Sequence, residues 1–305
     1  LKITYFAHII NYTYLLTIVE LFYDFVISTL VGLFGLHLLT KKGLLASKFM
    51  GLYFLNFCIR IVLAYFATGG RLIDYPHLYL LGAPFHFFGP PVAFLFVYTM
   101  LFPERKFRLW QALLFLPFLL HLLELIPFFL GPVENKIKEI QLVLEYKSLV
   151  NYPGTATFFS PMTMSLLKLA FGIIYSISSF CIVIQFFRKN RRYYAQNTFF
   201  FNWMFSFTSL SLLSIVCVIA YVVGFIGFNN LQFSYSDLLM HLSALVNLGV
   251  VLYRPSILDG VSFQSLVMRL KEQERVAEPD ENAEKLKKYE KHAARLEQYF
   301  VTEKP

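Results

Sequence analysis

The sequence predicts an all-α integral membrane protein: a bundle of seven transmembrane helices with its N-terminus outside, followed by a cytoplasmic helical tail. Three observations carry that expectation. Hydrophobic residues make up 57% of the chain and charged residues 15%, against about 45–50% and about 25% in an average soluble domain; the mean hydropathy is +0.58. The apolar residues gather into seven runs, each long enough for a hydrocarbon core of about 30 Å, which takes roughly 20 helical residues. At Arg254 the apolar character stops: residues 254–305 hold 10 Lys/Arg and 10 Asp/Glu, while residues 1–253 hold 17 and 9. The net charge of +8 thus belongs to the membrane part, and the pI of 9.2 marks no nucleic-acid surface.

The expected spans are 14–39, 44–67, 78–102, 109–130, 161–187, 198–226 and 234–253. The first lacks the basic n-region and small-residue cleavage site of a signal peptide and carries Glu20 and Asp24, so it is expected to be an integral helix. With no initiator Met, residues preceding Leu1 are compatible with the sequence. Short loops rich in Lys and Arg stay in the cytoplasm. The loops after spans one, three and five hold Lys41, Lys42, Lys48, Arg105, Lys106, Arg108, Arg188, Lys189, Arg191 and Arg192, ten cations against five on the other face. The N-terminus is therefore placed outside and the tail inside.

That orientation puts most ionisable residues of the spans in their outer halves: Glu20, Asp24, Arg60, His86, His121, Glu124, Lys168, Asp237 and His241, with only His37 near the inner side. A charge at mid-bilayer costs at least about 2.5–3.5 kcal/mol on insertion scales, so such groups face a bundle interior and pair. Glu20/Asp24, His121/Glu124 and Asp237/His241 are three or four residues apart, which puts each pair on one helix face. A ligand pocket open to the outside, a network that merely ties helices together, and an ion pathway all fit the pattern. A pathway needs ionisable groups that continue inward, and apart from His37 they stop.

No nucleophile elbow, phosphate loop, zinc helix or Cys-x-x-Cys is present, so no enzyme, catalytic residue or cofactor is expected. Cys58, Cys181 and Cys217 read as small buried hydrophobes, and no metal site is expected. Pro84, Pro90 and Pro91, with Gly82 and Gly89, predict a kink in span three. The outer loop 131–160 predicts an interfacial helix through Ile137, Ile140 and Leu144, then a turn at 151–154.

The tail begins where Arg254-Pro255 ends span seven. Residues 256–276 form an amphipathic stretch. A second helix is expected from Asn282 to Thr302, with Leu286, Tyr289, Ala293, Leu296 and Phe300 in a heptad seam. Two heptads need a partner, so self-association or a partner protein is expected at the tail.

The run Lys288-Tyr289-Glu290-Lys291, then Leu296-Glu297-Gln298-Tyr299-Phe300 and Glu303-Lys304-Pro305, resembles the segment before the helix-turn-helix of membrane-anchored AraC-type transcription regulators of Bacteroidetes. Phe88-Gly89-Pro90-Pro91 with Tyr98, and Tyr253-Arg254-Pro255-Ser256-Ile257-Leu258, resemble the sensor half of that family. The resemblance implies a bacterial inner-membrane sensor whose DNA-binding domain follows Pro305, so that DNA is touched only through a domain outside this chain. The expected partners are then the bilayer, an external or membrane-borne ligand, and a tail partner. A structural or accessory subunit of a larger membrane assembly and a small transporter are the alternatives.

Overall fold

Inside hydrocarbon a backbone must satisfy its own N–H and C=O groups, which favours helices. In the computed structural model of the chain the apolar runs are helical, and no strand occurs among the described residues. The structure describes residues 25–40, 45–68, 71–103, 105, 107–146, 158–190, 198–227, 234–254 and 257–258. The helices are α1 (Phe25–Thr40), α2 (Leu45–Thr68), α3 (Phe85–Leu101), α4 (Leu116–Leu130), α5 (Val133–Tyr146), α6 (Pro161–Lys189), α7 (Thr198–Gly227) and α8 (Ser234–Tyr253). Four segments, Leu45–Phe66, Leu109–Leu130, Pro161–Lys189 and Thr198–Val216, are long and apolar enough to cross a membrane; Phe25–Thr40, Phe85–Leu101 and Leu242–Tyr253 are shorter apolar helices. The chain divides into two units, Leu1–Gly260 and Val261–Pro305. The second unit, with the expected seam Leu286, Tyr289, Ala293, Leu296 and Phe300, lies outside the described residues, as do Glu20, Asp24 and the turn at 151–154.

Within the first unit α2 packs on α3, α3 on α6, α6 on α7 and α7 on α8. One core runs through them, centred on Phe54 of α2, Leu95 and Phe96 of α3, and Met204 and Phe207 of α7. α1 meets α2 backbone to backbone. A Cβ on Gly51 would lie 2.8 Å from the Gly35 carbonyl oxygen, and one on Gly35 would lie 2.9 Å from that of Gly51. Small residues permit such close helix crossings in membranes.

The third apolar segment starts later than its composition suggests. Residues 79–84 form turns, Leu80 has a left-handed φ of 61°, and α3 begins at Phe85 after Pro84. Leucine in that conformation is uncommon, and it stops a helix from running back to residue 78. Pro90 and Pro91 lie inside α3; without N–H groups they leave the carbonyls of His86 and Phe87 without their usual intrahelical donors. Gly89 packs against Asn56, whose Nδ2 would be 2.7 Å from an added Cβ.

The fourth segment is 3₁₀ over Leu109–Phe115 before it becomes α4. The Arg108 N–H donates to Gln111 Oε1 at 2.8 Å, closing its start. Leu109, Leu113, Leu116, Leu120 and Leu123 are exposed, and the buried residues of α4 are His121 and Leu125.

The loop helix forms as α5, with Ile140 of the expected stripe buried, Ile137 half-buried and the Leu144 side chain outside the described ones. Among its described side chains Lys136, Glu139 and Ile140 are the buried ones, Lys136 to 2% exposure. Lys136 Nζ donates to the Phe129 carbonyl at 2.7 Å and lies 3.2 Å from His77 Nδ1, which pins α5 to the end of α4 and to the 3₁₀ turn Pro76–Leu78. A buried ammonium is tolerated where it finds such acceptors.

α8 ends at Tyr253, and the exit is packed. The Arg254 guanidinium lies 4.7 Å over the Phe199 ring, Ile257 N–H donates to the Arg254 carbonyl, and Ile257 and Leu258 belong to the core.

Candidate functional site

The expected polar residues come from several helices, and the structure brings five of them into one neighbourhood. α3 and α6 begin, and α2 ends, at one end of the bundle. Arg60 lies two turns from the end of α2, His86 in the first turn of α3, His121 and Glu124 on α4, and Lys168 two turns into α6. Arg60, Lys168 and His121 act electrostatically on His86, and Glu124 and Arg60 act on Lys168.

Phe87 is the hub. Its ring meets His121 edge-on with centroids 5.5 Å apart and Phe171 at 5.6 Å, while Lys168 Nζ lies 6.0 Å from its centroid. A cation near an aromatic face gains roughly 0.5–2 kcal/mol, a weak substitute for a carboxylate partner. Among the described residues Lys168 Nζ has no hydrogen-bond or ion-pair partner.

The helical spacing of His121 and Glu124 has the expected consequence: His121 Nδ1 donates to Glu124 Oε2 at 2.8 Å. The other carboxylate oxygen, Oε1, accepts from the Phe158 backbone N–H at 2.6 Å, tying α4 to the chain just before α6. That junction is ordered by Ser160, whose Oγ accepts from Thr163 N–H at 3.2 Å as an N-cap, with Pro161 in the first turn. Both Glu124 oxygens thus have partners, and neither lies within ion-pair distance of Lys168 Nζ. His121 is only 4% exposed, and its Nε2 has no partner among the described residues. His86, beside Phe87 in the first turn of α3, has an exposed side chain.

Other expectations fall elsewhere. Arg60 is engaged in an interaction of its own. Asp237 and His241 lie in the first two turns of α8, but their side chains are outside the described ones. His37 is remote, beside Phe34 near the end of α1. Among the described residues no group of three His, Cys, Asp or Glu is placed to hold a metal ion.

Two features were not singled out from sequence. Asn56, one turn before Arg60, is buried with its Oδ1 unpartnered among the described residues; an amide in an apolar helix was the available signal. At the opposite end of the bundle Trp203 Nε1 donates to Asn247 Oδ1 at 3.2 Å and Asn247 Nδ2 donates to the Ser243 carbonyl at 2.7 Å. Phe96 and Phe207 pack there, Phe96 against both Trp203 and Phe207.

No family model, curated protein or solved structure matches the chain.

Proposed function

We propose that this chain is the sensing part of a seven-helix membrane receptor, with its N-terminus outside and its tail in the cytoplasm, built like the sensor half of a one-component transcription regulator. A ligand enters the cleft at the end of the bundle where α3 and α6 begin, and its binding changes how the tail pairs. The observation that carries this reading is the meeting of His121 and Lys168 at the Phe87 ring, in electrostatic reach of Arg60, His86 and Glu124. The opposite end favours a receptor over a conduit, because Trp203, Asn247, Phe96 and Phe207 pack into a closed core there.

The packed exit supports transmission. Since Arg254 stacks on Phe199 and Ile257 and Leu258 sit in the core, a shift of α8 against α7 reaches the start of the tail without slack. A ligand shifts an equilibrium only by its differential affinity for two states, so α3 and α8 are expected to have two packings.

The test fuses a DNA-binding reporter domain after Pro305 and follows its output in cells. Arg60→Ala and Asp237→Ala are each expected to change the output while the protein remains inserted at wild-type level. Unchanged output with both residues replaced removes the receptor reading. Cysteine-labelling of introduced sites in the 131–160 loop and the tail, from either side of sealed vesicles, checks the orientation.

A further inference from the structure

We infer that the neighbourhood of Phe87 binds the oxyanion head group of an amphiphilic molecule, held by Lys168, His86 and His121. The inference rests on the ligand-site reading above and names the class of ligand. Its first ground is what the polar groups still need. Lys168 Nζ and the His86 ring have no hydrogen-bond or ion-pair partner among the described residues, and His121 Nε2 is buried and unpartnered among them. All three belong to one electrostatic neighbourhood.

The second ground is the sign of the charge. Glu124 has both oxygens committed, to His121 Nδ1 and to Phe158 N–H, so it makes no direct contact with Lys168. Glu124 acts on Lys168 as a field rather than a contact, which leaves the place beside the ammonium to an anion. Glu124 also orients the histidine: with Nδ1–H given to the carboxylate, the neutral ring presents Nε2 as an acceptor, and the imidazolium presents it as a donor. An acidic head group satisfies either form. It donates its O–H to Nε2, or the proton passes to Nε2, leaving an oxyanion and an imidazolium that Glu124 stabilises.

The third ground is the apolar setting. Phe87 and Phe171 meet ring to ring at this spot, which suits the apolar body of an amphiphile. His86, whose side chain is exposed next to Phe87, marks the way in.

The full chain in phosphatidylcholine nanodiscs, probed with labelled decanoate by equilibrium dialysis, tests this. Saturable binding is expected, weakened about tenfold or more by Lys168→Met and by His86→Gln, each removing one charge-assisted contact. Trp203→Phe, at the far end, leaves binding unchanged. His86→Gln alters an accessible residue, so the test stands even if Lys168→Met fails to fold. Phosphatidylglycerol in the nanodisc separates two sources: if it displaces decanoate from wild type, the head group comes from a bilayer lipid; if it does not, from a free organic acid. Absence of saturable decanoate binding together with no effect of phosphatidylglycerol on thermal stability overturns the inference, as does equal binding by both variants. If the variants change the reporter output while wild type binds neither probe, the ligand class falls and the receptor reading stands; if the output is also unchanged, both fall.

Discussion

The two ends of this bundle use the same kinds of residue and finish them differently. Where α7 begins, Trp203 and Asn247 are paired and enclosed by Phe96 and Phe207. Where α3 begins, His121 Nε2 and Asn56 Oδ1 are buried without partners among the described residues. A buried polar atom left unpaired costs about 1–3 kcal/mol, and such atoms are rare in native structures unless something else meets them. The contrast is between an end whose buried polar groups satisfy one another and an end where two of them do not among the described residues.

The strongest challenge to that contrast is Trp203→Ala. It opens a cavity beside Phe96 and removes the donor to Asn247, and a loss of about 3–5 kcal/mol is expected, read by titrating mixed micelles with dodecyl sulfate. A loss below about 1 kcal/mol would show that this end is not the anchor. Gly51→Ala comes next, at about 1–3 kcal/mol, because a Cβ 2.8 Å from the Gly35 carbonyl forces two backbones apart; crosslinking between cysteines placed on α1 and α2 should report the widened gap. Asn247→Leu sharpens the comparison by making the anchored end resemble the other one. It leaves Trp203 Nε1 without its acceptor, for a cost of about 1–2 kcal/mol, and shifts Trp203 fluorescence. The smallest effect is expected for Lys168→Met, within about 0.5 kcal/mol of wild type in the same titration. A loss of about 2 kcal/mol or more there would give Lys168 a structural duty and erase the distinction between the ends.

The helices were legible where punctuation was strong. Pro161 opens α6 and Arg254-Pro255 closes α8, at or near the expected residues. α3 starts seven residues later than expected because Tyr79, Leu80 and Leu81 are as apolar in a turn as in a helix; Gly82 and Pro84, read as part of a kink, mark the later start. The 3₁₀ stretch Leu109–Phe115 was invisible, since hydropathy does not separate i+3 from i+4 bonding. Periodicity correctly placed His121 over Glu124, a local matter. It had no access to Lys136, whose burial depends on the Phe129 carbonyl and on His77, 59 positions away. For the same reason Phe87 looked like any other phenylalanine, although three helices meet at its ring.

The late start of α3 bears on the bilayer itself. Seventeen residues rise only about 25 Å, several ångströms short of a hydrocarbon core about 30 Å thick. For a helix that short to cross, the lipid surface must be drawn inward or the headgroup layer must dip beside it. On the seven-helix reading proposed above, His86, the second residue of α3, would lie beneath such a dip, within reach of molecules that never leave the membrane.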